Sequence, residues 1–405
     1  MVSASSIIAL GIYIILGRLL IRRGTGTWRE IAFVFLNLAG FYYCFCWGRP
    51  AHNAVAFGFY IGAVLFQFLM LLWFAEKPGA SAWLAFFTPL LFLFLIRYVL
   101  VTSNPKASGL ESVFRTAFFV GISYQAFRCS RLVLEVRNGQ VKRPNGWEYL
   151  NFAFFLPTMS VGPINSYANF RCGFDATPYE VPAGRAVLRI LVGFVKYQLL
   201  CNYFGQLGYA NLLVLDEHLH PWTDLPVAMV FYYLFLYCNF SGFCDMAIGV
   251  AALIGIPVPE NFDNPFAARN VKDFWNRWHI TLSVWMRDVV FSPLSKFLVG
   301  KFGIPQANHA IALTITVVFL LVGVWHGVGW NFFAFGAAHA LGVVTNHYYT
   351  IFLKKKLGRD GFKAYNENRW IQAAAVTLTF CYVAASLFLF ANTFPEMKQI
   401  FQSLR

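Results

Sequence analysis

Long apolar windows recur along almost the whole chain, separated by short breaks that carry most of its charge. They fall near 5–20, 31–48, 53–75, 81–102, 112–134, 148–163, 185–206, 226–255, 308–325, 330–352 and 370–393. A helix needs about 20 apolar residues to cross a bilayer. Backbone at membrane depth must also satisfy its own hydrogen bonds, which selects helices over an open sheet. The windows therefore predict an all-α, polytopic membrane helix bundle of about 9–11 membrane helices. Some of these are short enough to be tilted, broken or re-entrant. Only 12% of residues are charged and the mean hydropathy is +0.56, whereas a soluble chain is about 25% charged. The net charge of +14 is no nucleic-acid footprint, because Lys and Arg sit between apolar windows rather than on one solvated face.

The basic residues also predict orientation. They gather at Arg18, Arg22, Arg23 and Arg29, at Arg137, Lys142 and Arg143, along 269–301, and from Lys354 to Arg369. All four groups fit the cytoplasmic side, with the N-terminus outside. The stretch 207–225 has Asp216, Glu217 and Asp224 without Lys or Arg, which suits the opposite side. The first apolar run carries its positive charge after it, unlike a signal peptide, and reads as a first membrane helix. Pro157, Gly162 and Pro163 predict a broken segment, and Pro257, Pro259 and Pro265 a helix stop. No linker divides residues 1–405, which read as one domain.

Chemistry concentrates between two histidines. The stretch Lys272–Asp288 packs three Trp, one His, two Arg, one Lys and two Asp into seventeen positions. As one helix it would put Trp278 and Trp285 on one face and His279 with Ser283 on the next. Further along, Trp325-His326-Gly327 follows the apolar run Ile311–Val324. An ionisable group at membrane depth is costly to bury and marks function. A neutral His tying two helices together is the structural alternative for His326. As a base, an imidazole can take a proton from a hydroxyl and return it. His279 divides between an interfacial structural role and a catalytic one.

Other candidates are weaker. Lys272, Arg277 and Arg287 are candidates for holding a phosphate-bearing donor, or mark topology alone. Asp245 lies within an apolar run and needs a partner, which Asn239 and Ser241 are placed to supply in part. Those three residues either tie helices together or line a reaction tunnel. Ser283 beside His279 lacks the nucleophile-elbow glycines of a hydrolase. His218-x-His220 is a poor metal signal, and no metal site is expected. His339 and His347 share a helix at about two turns. The eight Cys lack a Cys-x-x-Cys pair and read as small buried hydrophobes.

Several pieces together resemble the membrane-bound O-acyltransferases, in their bacterial branch that acylates alginate and teichoic acid. They are Val161-Gly-Pro-Ile164, Asn239–Gly249, Pro259-Glu-Asn-Phe262, Lys272–Ser283, Trp285-Met-Arg-Asp288 and Gly323-Val-Trp-His-Gly327. They occur in the family's order within about 150–345, while residues 1–130 match only in hydropathy. Asn165-Ser-Tyr-Ala168 and Val289 depart from the family's pattern, which usually has a basic residue and a Tyr there. The resemblance implies a central funnel or tunnel, His326 as the catalytic His and His279 as the second one. It implies no permanently bound cofactor. The donor would be an acyl thioester, as acyl-CoA or on a carrier protein, arriving from the cytoplasm. The acceptor would be a hydroxyl of a cell-envelope glycopolymer, or a partner acyltransferase beyond the outer face. Ser283, Trp278, Trp325 and Asn331 are then substrate-side candidates, the last two as oxyanion donors. A transporter using the same polar residues as a pathway is the competing class.

Overall fold

A computed structural model describes residues 4–48, 52–77, 79–94, 121–159, 161–175, 179–209 and 222–403. The far parts of the windows 81–102 and 112–134 lie outside the described residues, as do Asp216, Glu217, His218 and His220. The described residues are overwhelmingly helical, and the one β contact among them is an isolated antiparallel bridge between Phe262 and Trp278. Among the described residues six helices are long and apolar enough to cross a membrane: Ser5–Arg23, Asn53–Glu76, Ala183–Gln206, Asp224–Ile254, Ile304–His326 and Arg369–Ala391. The all-α polytopic expectation is met. The window at 31–48 is the helix Gly26–Phe45, and that at 330–352 opens the long helix Trp330–Glu367.

The helices used below are α1 (Ala4–Arg23), α2 (Gly26–Phe45), α3 (His52–Glu76), α4 (Ala82–Phe94), α5 (Ile122–Arg137), α6 (Gly146–Ala153), α7 (Tyr167–Asp175), α8 (Ala183–Phe194) and α9 (Asp224–Ile254). They continue as α10 (Val271–Arg277), α11 (Ile280–Met286), α12 (Ser292–Phe302), α13 (Ala307–His326), α14 (Trp330–Glu367), α15 (Arg369–Ala391) and α16 (Phe394–Ser403). Two compact units emerge. One comprises residues 1–193 and 243–260, the other residues 194–242 and 261–405.

The first unit is held by polar contacts that tie short helices to long ones. Arg18 donates to the carbonyl of Leu253 at 2.7 Å. Glu30 on α2 pairs with Arg171 on α7 at 2.6 Å, and Arg171 also reaches Glu148 at 3.0 Å. Glu148 completes a capping box with Asn145 that starts α6. The predicted break follows: α6 ends at Ala153, Leu156–Thr158 is a single 3-10 turn, and α7 begins only at Tyr167. Proline and glycine remove helical bonding there, and Asn37 receives the freed N–H of Leu156 at 3.0 Å. Asn165 and Asn169 both donate to the carbonyl of Pro257, at 3.0 and 3.2 Å. The departure at Asn165 thus has a structural use, since it holds the segment that follows α9.

In the second unit α13 and α14 form an antiparallel pair joined through Gly327–Gly329. Their backbones meet at Gly323 and Gly336. A Cβ on Gly336 would lie 2.5 Å from the carbonyl oxygen of Phe319, and one on Gly323 would be 3.2 Å from the Gly336 Cα. α15 returns along α14, where the Tyr382 hydroxyl donates to the carbonyl of Ala338 at 2.6 Å. An aromatic core fills this unit. Tyr233 and Tyr237 on α9 meet Phe266 and Trp278, and Tyr233 also meets Phe274 and Phe380.

Candidate active site

His326 is the last residue of α13, and the chain leaves it through Gly327 in extended backbone (φ −179°). The apolar run before it packs as a helix, so position along that helix sets where the imidazole lies. Its ring lies 4.5 Å from that of Trp325, 4.9 Å from Phe390 on α15 and 6.0 Å from Phe335 on α14. It remains half-buried. The residue is thus surrounded by aromatic rings without being fully buried.

His279 sits on a different construction. The Trp-rich stretch is not one helix, contrary to the expectation above. α10 ends at Arg277, Trp278 is extended (φ −110°, ψ 129°), and His279 is left-handed (φ 45°, ψ 52°) before α11 begins. A left-handed backbone costs a non-glycine residue energy, and such strain gathers at functional sites. Neighbouring bonds over-determine it. Ile280 N–H donates to the carbonyl of Asn261 at 3.0 Å. Thr281 donates to the Asn261 Oδ1 through both N–H and hydroxyl, at 3.2 and 2.7 Å. One turn back, Asp263 N–H donates to the carbonyl of Arg277 at 3.0 Å. Asn261–Asp263 therefore works as a splint across the break.

The His279 side chain is 3% exposed. Phe240 presents its ring edge-on at 4.7 Å, and Trp325 stands 6.3 Å away, so one indole neighbours both imidazoles. His279 lies outside the six candidate spans. Burial, and then the neighbouring His326, pushes its pKa down to about 3. It is therefore neutral at any working pH.

A third imidazole is structural. His339 on α14 is 1% exposed. Its Nδ1 accepts from Trp275 Nε1 at 3.1 Å, and its Nε2 lies 3.0 Å from the Ser386 Oγ. Because indole N–H only donates, Nδ1 is the acceptor and the proton sits on Nε2. Ser386 in turn donates to the carbonyl of Val383 at 2.8 Å. This neutral chain braces α10, α14 and α15.

The remaining candidates divide. Trp278 is buried, stacked on Phe274 at 5.5 Å and met edge-on by Phe262 at 5.0 Å. Ser283 is half-buried and its N–H closes the first turn of α11 on the carbonyl of His279. The break lies before His279, so Ser283 keeps a helical bond to the His279 carbonyl, whereas Trp278 is separated from the helix that carries Trp285. Asn331 is buried and donates to the carbonyl of Leu389 at 3.2 Å, tying α14 to α15. Asn239 donates to Cys201 Sγ at 3.4 Å. The Ser241 Oγ is buried with no hydrogen-bond partner among the described residues.

Asp245 finds its charge partner in Arg189, which the sequence reading did not single out. Arg189 Nε lies 3.1 Å from Asp245, and its Nη1 lies 2.6 Å from Glu260. Its position in an apolar window, α8, was the signal available. Arg277 pairs with Asp273 at 2.9 Å and Arg287 with Asp288 at 3.3 Å, whereas Lys272 is exposed. Among the described residues no group of three or more His, Cys, Asp or Glu is arranged to hold a metal ion.

An all-helical polytopic membrane protein with neighbouring imidazoles, one of them strained and both walled by aromatic rings, has the makings of a membrane-embedded enzyme. The chain belongs to the membrane-bound O-acyltransferase (MBOAT) family, which it matches over residues 55–387, and it is an O-acyltransferase. It is similar to a teichoic acid D-alanyltransferase of Streptococcus thermophilus, 33% identical over 76% of this chain and 75% of that protein. The corresponding protein of Bacillus subtilis is 31% identical over 68% of this chain and 69% of its own length. A peptidoglycan O-acetyltransferase of Helicobacter pylori is 30% identical over 50% of this chain and 38% of that protein.

Proposed function

We propose that the chain is an O-acyltransferase of the bacterial cytoplasmic membrane. In this reading it moves an acyl group from a thioester on the cytoplasmic side to a hydroxyl of a cell-envelope glycopolymer, or to a relay partner. The coverage by D-alanyltransferases, 76% of the chain against 50% for the peptidoglycan O-acetyltransferase, favours D-alanyl over acetyl as the group. The donor is an acyl thioester, as acyl-CoA or on a carrier protein. The observation that carries the reading is the contrast among three neighbouring imidazoles. His339 has both ring nitrogens engaged, His279 is sealed, and His326 alone of the three is only half-buried.

His326 acts as general base. It takes the acceptor's hydroxyl proton as the oxygen attacks the thioester carbonyl carbon. The resulting oxyanion needs a donor, and Trp325 Nε1 is the candidate adjacent to the site. The intermediate collapses with cleavage of the C–S bond. The thiolate leaves with the proton returned from the imidazolium, so the histidine ends as it began. Walls of Phe335, Phe390 and Trp325 exclude water, which disfavours hydrolysis of the thioester. Asn331 is committed to the Leu389 carbonyl and is given no part in the oxyanion site. The strained backbone of His279 favours a second assignment within the same chemistry, with His279 completing the acceptor site beside His326.

The experiment is mass spectrometry of the envelope polymer from cells carrying the native chain, His326→Ala or no chain, with membrane levels of the protein matched. Acylation present with the native chain and lost with His326→Ala, by at least about 100-fold as removal of a general base predicts, supports the reading. Full acylation with His326→Ala would overturn the base assignment. An unchanged polymer on deletion of the chain would overturn the acceptor.

A further inference from the structure

A cavity of the second unit has a chemistry of its own. It is a groove of about 820 Å³ between α14, α15 and the start of α10. Its two ends differ. At one, Asn366 and Gln372 line the wall, together with Tyr349 and Tyr365, whose hydroxyls lie 3.1 Å apart, while Arg269 and Asn270 enter from the start of α10, where Val271 lies against Gly342. At the other the lining is apolar, with Leu341, Ala375 and Leu378. Leu341 is 64% exposed and Leu378 70% exposed. In a helix that lies in a bilayer such side chains meet acyl chains, so this end opens sideways to lipid.

The polar end is electrostatically unbalanced. No Asp or Glu lines the groove. Of the nearest acids in sequence, Asp273 pairs with Arg277 through Oδ1 and accepts the Arg269 backbone N–H through Oδ2 at 3.0 Å, and Glu367 lies 3.9 Å from Lys363. The Arg269 guanidinium has no ion-pair partner among the described residues. The chain between the two lining helices adds Lys354, Lys355, Lys356 and Arg359 without forming the wall. The kink at Gly358 (φ 66°) turns this segment back so that Phe362, Tyr365 and Asn366 close the groove's polar end.

We propose that this groove binds one anionic phospholipid of the leaflet beside the basic loops, its phosphate held by Arg269 with the Tyr349 and Tyr365 hydroxyls, and one acyl chain laid along Leu341, Ala375 and Leu378. The Asn366 and Gln372 amides are already committed to the carbonyls of Phe362 and Asn366. A guanidinium with phenol donors suits a phosphate oxygen cluster. The apolar end suits a chain that leaves toward the bilayer. A zwitterionic lipid brings its own cation to the same place and gains less. The site is independent of the acyl-transfer reading, since it uses none of the residues assigned to chemistry.

The test uses the full chain reconstituted in nanodiscs of phosphatidylcholine with a minor fraction of phosphatidylglycerol, so that selective retention stands out from the bulk composition. After mild detergent extraction, retained lipid is counted by native mass spectrometry. The native chain is expected to retain one phosphatidylglycerol in several-fold preference over phosphatidylcholine. Arg269→Gln removes the anion's partner. Ala375→Trp fills the apolar end and leaves charge unchanged. Both are expected to cut retention at least about threefold, while Arg359→Gln, on the loop outside the wall, leaves it unaltered. Equal loss with Arg359→Gln and none with Ala375→Trp would show diffuse attraction to the basic loops and overturn the site. So would displacement of the lipid by coenzyme A at equal charge, which would mark the groove as a donor's.

Discussion

At the scale of the residue, His279 carries the strongest physical signature. Its left-handed backbone, its burial and its depressed pKa of about 3 describe an imidazole kept neutral at an energetic cost. The consequence for stability has a definite sign. The folded pKa lies below the unfolded value of about 6.5, so between those limits the unfolded chain binds a proton that the folded chain refuses. Stability contributed by neutral His279 is complete above the unfolded pKa and falls as pH drops toward 3, at up to about 1.4 kcal/mol per pH unit. Thermal melting in neutral detergent is therefore expected to weaken from pH 7 to pH 5. His279→Asn, which tolerates the left-handed backbone, is expected to flatten that slope while lowering acyl transfer. An identical slope in the variant would mean that the folded chain takes up the proton as readily as the unfolded one. His326 was legible in the sequence because an ionisable residue ended a long apolar run. The strain at His279 was not, since nothing in Trp278-His279-Ile280 announces a helix break.

At the scale of the element, that break is what the sequence hid. Lys272–Asp288 has good helical spacing, and its own residues carry neither Gly nor Pro to stop it. The interruption comes from Asn261–Asp263, more than a dozen residues earlier, which offers the freed backbone groups new partners. Tertiary bonding here overrides local propensity. The converse held for 152–170, where Pro157, Gly162 and Pro163 lie within the segment they interrupt and the break was visible. Asn261 can be tested directly. Asn261→Ala removes the side-chain acceptor of both Thr281 bonds, at a cost of about 1–3 kcal/mol. The melting temperature is expected to fall and transfer activity with it, because His279 is held through this splint. Asn261→Asp keeps the accepting oxygen and is expected to retain more of both. Equal behaviour of the two variants would place the splint's strength in its backbone bonds alone.

At the scale of the whole molecule, the apolar windows fixed the fold class because membrane insertion constrains length and composition more tightly than any soluble core does. What they could not reveal was the pairing of charges inside it. Asp245 required a partner, yet Asn239 and Ser241 were nearer in sequence than Arg189, which lies 56 residues away and reaches it at 3.1 Å. Orientation belongs to this scale too, and it rests on the basic breaks. If Arg18–Arg29, Arg137–Arg143, 269–301 and Lys354–Arg369 all face the cytoplasm, then Lys355 and Trp222 lie on opposite sides. Both are suited to labelling, since Lys355 is exposed and Trp222 is 84% exposed. The measurement starts from a chain whose eight cysteines, among them the exposed Cys44, Cys172 and Cys381, are replaced by alanine or serine. A membrane-impermeant maleimide is expected to label Trp222→Cys in intact protoplasts and Lys355→Cys only in inverted vesicles. The same polarity is what a cytoplasmic thioester and an outer acceptor demand. Labelling of Lys355→Cys from outside would reverse the orientation, and the donor would then have to be sought on the other face.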